Sequence, residues 1–281
     1  MSCKKLDMPQ NADPRALPPI LSHKDYEAAS VFEPANLLRE ARRQKRVPEI
    51  EVPAVCILDP DGDILRSLQR EGRTTPSPGW ACYHTELYEF GHGDERFGII
   101  GCAVGASFAV LVAEELFVSG CRLLISMTSA GQIVARGPTP YFVVIDRALR
   151  DEGTSYHYLP PSECCEADPA LVELAMQAMQ SPPQPIYQGA AWTTDAPFRE
   201  TPAVIERARA RGILAVEMEA AALYAFARAR QKPVLCLAHV TNRMAVEGGD
   251  FEKGEAGGAF ASLAVIAAVA RAWREREDRN D

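Results

Sequence analysis

Aromatic residues make up only 7% of this 281-residue chain, and histidine occurs at five positions. No Cys-x-x-Cys spacing joins the eight cysteines at 3, 56, 82, 102, 121, 164, 165 and 236. That absence argues against a zinc centre or a disulfide framework, and the apolar runs around several cysteines suit buried, reduced thiols. Gly101 and Gly105 do not complete a Gly-x-Gly-x-x-Gly turn, so no dinucleotide fingerprint is present. No stretch approaches the roughly 18 apolar residues of a membrane span. Nor does the N-terminus show a charged segment followed by an apolar run and a cleavage site. We therefore expect a cytoplasmic protein with no membrane partner. A net charge of -8 disfavours phosphate backbones, so no nucleic-acid partner is expected. The one basic cluster, Arg39 to Arg46, reads as the solvated face of a helix.

What is present is an ordinary globular composition, 47% hydrophobic and 24% charged, at a length that fits one large domain. Residues 1–21 hold prolines without periodicity and read as a poorly ordered tail, leaving 22–281 as a single domain. Strands are predicted at 52–58, 82–90, 96–102, 122–128, 140–147, 186–193, 213–217 and 233–240. Helices are predicted at 34–46, 106–119, 169–180, 203–211, 220–231 and 257–277, with a frayed charged end after Trp273. The alternation predicts an α/β fold, a three-layer sandwich whose mixed central sheet is flanked by helices. Ligands of such sheets gather at the carboxyl ends of strands, which directs attention to 128–132, 193–199, 217–219 and 241–243.

At the third of these places, Ala215-Val216-Glu217-Met218-Glu219-Ala220-Ala221-Ala222 sets two acids between an apolar strand and a helix of small residues. Burying a carboxylate there requires donors. Helix N–H groups supply them in one reading, an N-cap pair. In the other, a carboxylate grips two sugar hydroxyls.

Val-Glu-Met-Glu-Ala-Ala-Ala resembles, over seven consecutive positions, the signature of the nucleoside phosphorylase family. That family includes uridine phosphorylase, bacterial purine nucleoside phosphorylase and methylthioadenosine nucleosidase. The resemblance runs from about Val55 to Arg271, through Glu114-Glu115-Leu116, the turn Thr128-Ser129-Ala130-Gly131, and Thr193-Thr194-Asp195. It implies a phosphorylase-like fold and cleavage of an N-glycosidic bond. By position, Glu219 binds the ribose 2′ and 3′ hydroxyls, Met218 packs on the sugar beside Glu217, and Ser129 and Gly131 lie near the sugar and the attacking group. Phe198 and Arg199 line the base pocket. His23 matches a histidine that reaches the 5′ hydroxyl of an adjacent subunit, and the family's shared sites imply a homo-oligomer, dimer or hexamer. Neither a metal nor an organic cofactor is implied, only inorganic phosphate as a co-substrate.

Purine-cleaving members place an aspartate where this chain has Asn242, and an amide cannot deliver a proton as a carboxylic acid does. Asn242-Arg243 resembles uridine phosphorylase, whose arginine holds a pyrimidine carbonyl. A uridine-like pyrimidine nucleoside is therefore the expected substrate, with a 6-oxopurine compatible with the same amide. The phosphate side departs from the family. Asp59, Asp63 and Ser126 stand where phosphorylases place a glycine and two arginines, a change that weakens phosphate binding by several kcal/mol at roughly 1.5–3 for each charge-assisted bond. Phosphorolysis is the expected reaction, with phosphate held by other groups such as Thr128, Ser126 and His84 or by a neighbouring subunit; hydrolysis by water is the alternative that these replacements open. The loop Glu152 to Tyr158 covers the base pocket or meets another subunit.

Two readings come from other classes. Val55 to Asp63 resembles the nucleophile motif of haloacid dehalogenase-like phosphatases, with Asp59 attacking phosphorus and Asp61 as acid/base, but the magnesium-binding partner expected after Gly249-Asp250 is missing. A non-catalytic nucleoside-binding protein would keep the Glu219 contacts without turnover. Calcium binding by the same aspartates fails, because Ile64 stands where an EF-hand needs glycine and Arg70 where it needs glutamate.

Overall fold

A computed structural model describes residues 17–179, 182–244 and 251–280. Its strands are β1 (Val55–Asp59), β2 (Thr75–Pro76), β3 (Tyr88–His92), β4 (Glu95–Gly101), β5 (Leu123–Gln132), β6 (Tyr141–Asp151), β7 (Cys164–Glu166), β8 (Ile186–Thr194), β9 (Ala215–Glu217) and β10 (Val234–Asn242). The helices are α1 (Pro34–Lys45), α2 (Asp63–Arg70), α3 (Ala106–Val118), α4 (Pro169–Ala178), α5 (Pro202–Ala210), α6 (Ala220–Arg230) and α7 (Ala259–Asn280).

The order across the mixed sheet is β2-β3-β4-β1-β5-β9-β8-β6-β10, with β7 beside β6. β10 also pairs with β5 in parallel, so β5, β9, β8, β6 and β10 close into a ring. β1 and β10 are buried at every position, as parallel strands covered on both faces must be. Each aliphatic side chain so buried stabilises the fold by roughly 1.5–3 kcal/mol. α1, α3 and α6 pack together as one set of helices, and α2, α4 and α7 as the other, giving the α/β architecture with a mixed central sheet. Ala106, Ala109 and Ala113 of α3 and Ala220, Ala221 and Ala222 of α6 are fully buried, and these small side chains let the two helices approach closely.

Several expected boundaries move. The run 82–90 is loop as far as Leu87, and only Tyr88 onward pairs with β4. Its apolar residues Cys82 and Leu87 pack on the core from a loop, which imitates a strand pattern. The polar stretch Thr128–Gln132 is not a turn, because β5 continues through it with β10 and β9 as partners. β2 and β7 are too short to show a period; α2, with Ile64, Ser67 and Leu68 buried at helical spacing, is not among the expected helices. Ala178 ends α4, and Gln180 lies outside the described residues. After Trp273 the chain does not fray: α7 runs to Asn280, tied by Arg274 to Glu95 at 2.6 Å and by Glu277 to Arg122 at 3.1 Å. The segment Glu255–Arg279 is long and apolar enough to cross a membrane, but its apolar side packs against β5, α2 and α4. Of the expected N-terminal tail, residues 1–16 lie outside the described residues, and Pro19–Leu21 forms one 3-10 turn.

Candidate active site

The strand-to-helix junction divides the two signature acids. Glu217 ends β9, and its carboxylate turns into the start of α6: Oε2 accepts the N–H groups of Glu219 and Ala220, both at 2.7 Å, and Oε1 accepts the Thr193 hydroxyl. Thr193 in turn accepts the Ala221 N–H at 2.9 Å. The capping role thus belongs to Glu217, whose carboxylate is taken up by Glu219, Ala220 and Thr193. Glu219 is buried and makes fewer contacts. Its Oε1 accepts the Gly105 N–H at 2.7 Å, while Oε2, in a residue only 1% exposed, has no partner among the described residues. Gly105 sits at φ +91°, so an L side chain there would be strained and the N–H would turn away. Burial, then the charge of Glu217, pushes the Glu219 pKa up, against the Gly105 N–H and the Thr128 hydroxyl. Met218 lies half-buried between the two acids.

On the other side of β5, the loop from β1 to α2 brings three aspartates together. Asp59 is buried, with Oδ2 accepting the Leu65 N–H at 2.9 Å. Burial pushes its pKa up to about 7; the Asp61 and Asp63 charges add, and the Leu65 and Gly62 N–H groups oppose. Asp59 Oδ2 is already committed to the Leu65 N–H, and the magnesium-motif position Gly249-Asp250 lies outside the described residues. Asp61 Oδ2 accepts the Ser129 N–H at 2.8 Å. Asp63 accepts Lys253 Nζ at 2.6 Å and Arg66 at 2.8 Å, and although burial pushes it upward, these two cations hold its pKa below the usual range. Lys253 Nζ lies 3.7 Å from Asp61.

Asp61, Asp63, Thr128, Ser129, His239 and Lys253 line a cavity of about 20 Å³. A single water needs roughly 10–15 Å³ of such space. His239 stacks on Phe142 with centroids 4.4 Å apart, and its Nε2 is 2.8 Å from Gln184 Oε1. Burial, with the Lys253 charge adding and Asp61 opposing, pushes its pKa down to about 4, so the ring is neutral at pH 7. Ser126 is buried deeper on β5, opposite Leu58, with no partner for its hydroxyl among the described residues.

Asn242 closes β10 opposite Gly131. Its Oδ1 accepts the Met244 N–H at 2.9 Å, and Nδ2 points to Ala130 O at 3.5 Å and Thr241 Oγ1 at 3.3 Å. A Cβ on Gly131 would come within 2.5 Å of Met244 Sδ, so the methionine side chain would have to move aside. Arg243, Phe198 and Arg199 are exposed, Phe198 almost completely. The 152–158 loop is built in: Tyr158 donates to Glu114 of α3 at 3.0 Å, and Arg150 stacks on Tyr156.

His84 does not join the cavity. It is exposed, and its charge acts on Glu115, ten residues or about 15 Å along α3 from Gly105. His23 is exposed near the start of the described chain. Three residues that shape the site carried no readable role in the sequence: Gly105, His239 and Lys253. Lys253 lies 190 residues from Asp63, and no local pattern marks it.

The phosphorylase superfamily model matches residues 63–272. A DeoD-type purine nucleoside phosphorylase of Jannaschia sp. (strain CCS1) is 31% identical over 156 residues, 54% of this chain and 66% of that protein. A guanosine phosphorylase of Halorubrum lacusprofundi is 29% identical over 131 residues, 46% of this chain and 54% of that protein. The chain thus spans under two thirds of either curated relative. Among solved structures, uridine phosphorylase from Vibrio fischeri ES114 superposes with a TM-score of 0.66 at 20% identity, covering 79% of this chain and 93% of that one. Purine nucleoside phosphorylase from Toxoplasma gondii, in complex with immucillin-H, gives 0.67 at 17% identity, covering 82% and 93%. At these identities the likeness is one of fold.

Proposed function

The chain belongs to the phosphorylase superfamily, and from that premise we propose that it cleaves the N-glycosidic bond of a nucleoside with water as the attacking group. The observation that carries the choice of water is the cavity beside Ser129, sized for one water and lined by carboxylates, with Asp61 already on the Ser129 N–H. A phosphate dianion placed there would meet like charge in a partly dry site.

In this reading Glu219 grips the sugar hydroxyls through its unpartnered Oε2, and Met218 packs on the sugar. The water oxygen forms the new bond to C1′ as the bond to the base breaks, Asp61 takes the water's proton, and solvent protonates the departing base. Positioning and electrostatic stabilisation of an oxocarbenium-like sugar supply most of the rate. Arg243 holds a base carbonyl, which suits a uridine-like pyrimidine first and a 6-oxopurine second; Phe198 and Arg199 flank that side. No metal or organic cofactor takes part. The enzyme acts as a cytoplasmic homo-oligomer.

Phosphorolysis is the second reading, favoured by the names of the relatives, although the cation at the cavity, Lys253, is already paired with Asp63. The test is base release from a nucleoside panel with and without phosphate. Equal rates, with free ribose as product, support hydrolysis. Release that requires phosphate and yields ribose 1-phosphate refutes it in favour of phosphorolysis, and binding without release leaves a nucleoside-binding protein.

A further inference from the structure

We propose that Asp61 and Asp63 select the nucleophile: they occupy an anion seat formed by the Ser129 N–H and Lys253, and so exclude phosphate. This rests on the nucleoside-cleaving reading above.

An anion seat needs a backbone donor and a cation, and both are built into this site. The Ser129 N–H at the cavity is aimed at an anion, and the anion it meets is Asp61 Oδ2 at 2.8 Å. The cation is Lys253, whose ammonium is shared by Asp63 at 2.6 Å and Asp61 at 3.7 Å. Its backbone is pressed onto the site. Gly254, Ala256 and Gly257 all take left-handed φ values, the Glu252 N–H donates to Thr241 O, and a Cβ on Gly258 would fall 2.5 Å from His239. Lys253 is therefore held at the cavity, 21% exposed, and does not extend into solvent.

The seat retains the chemistry of an anion site but is filled from within. The Lys253 ammonium at the cavity, and the Arg66 guanidinium on the exposed side of Asp63, are both paired with these carboxylates, so an entering phosphate finds its cations neutralised and its N–H donor taken. Water, being neutral, meets neither obstacle. Specificity here comes from placing repulsive groups against the competitor.

The double variant Asp61→Ser/Asp63→Asn clears the seat and frees Lys253. Calorimetric titration with inorganic phosphate, with chloride as control, should show it binding phosphate at least about tenfold more tightly than the parent, since like-charge juxtaposition is lifted. Adding Lys253→Met should return phosphate binding to the parent's level. Where the double variant does not fold, Asp61→Asn, which keeps an acceptor for the Ser129 N–H, should show a smaller gain in the same direction. A folded variant that binds phosphate no better than the parent overturns the proposal, and so does a gain that survives Lys253→Met. Base release is followed in parallel. Phosphate binding gained without base release by any form sinks the nucleoside-cleaving reading and leaves the seat standing, whereas base release without the gain does the reverse.

Discussion

Glu219 keeps one carboxylate oxygen without a partner among the described residues because Glu217 has taken the helix start, and this division rests on single hydrogen bonds. With two hydrogen bonds to the sugar at roughly 0.5–1.5 kcal/mol each, since burial holds the carboxyl's pKa up, Glu219→Ala should lower kcat/KM for a ribonucleoside by about tenfold or more. Against a 2′,3′-dideoxynucleoside the same variant should lose little. Equal losses on both substrates would rule out the hydroxyl grip. Asp59 permits a second test at this scale, through pH. Its pKa is near 3.8 when unfolded and about 7 when folded. Between these values the unfolded chain has lost the proton that the folded chain still holds, so its contribution is full below pH 3.8, falls as pH rises, and is gone above about 7. Asp59→Asn should flatten stability across that window, by up to roughly 4 kcal/mol at 1.36 per pH unit. Chemical denaturation at several pH values measures it, and an unchanged slope would mean that Asp59 is ionised in the folded protein.

At the scale of elements, the junction between β9 and α6 joins strand, cap and ligand group within a few residues. Thr193→Val removes one donor from Glu217 and the acceptor for the Ala221 N–H, which should cost about 1–3 kcal/mol of stability. The preference for ribose over deoxyribose should stay the same, because Glu219 keeps its Gly105 N–H. A collapse of that preference would merge the cap and the grip into one function. Elements of this kind were readable from sequence: β1 and β10 as continuous apolar runs, α3 and α6 as helices bounded by strands, and the signature between Val216 and Ala222. What the sequence did not reveal was which acid caps and which binds, since Glu217 and Glu219 are chemically identical and two residues apart. The direction of each side chain depends on Thr193 and Gly105, contributed by other elements. The continuation of β5 through Thr128–Gln132 was hidden for a similar reason. Its polar residues face a site, and strand pairing from β9 and β10 overrides their turn propensity.

At the scale of the molecule, ring closure brings loops from distant stretches of chain to one place, and Lys253 can reach Asp63 only because α7 returns beneath β5 and α2. No local period encodes such a meeting. The same fold leaves apolar groups outside: Leu111 and Val118 of α3, seven residues apart, are 38% and 44% exposed. Residues seven apart share one helix face, and exposed apolar side chains on it mark a contact surface. A second copy is the occupant that fits the homo-oligomer proposed above, and a twofold contact presents each residue twice. Leu111→Glu should then weaken association at least about tenfold, at roughly 0.6–1 kcal/mol for each copy of a leucine that is 38% exposed before association. Sedimentation equilibrium of parent and variant decides it. A parent that is already monomeric, or a variant that associates as strongly as the parent, would exclude this face as the contact between copies.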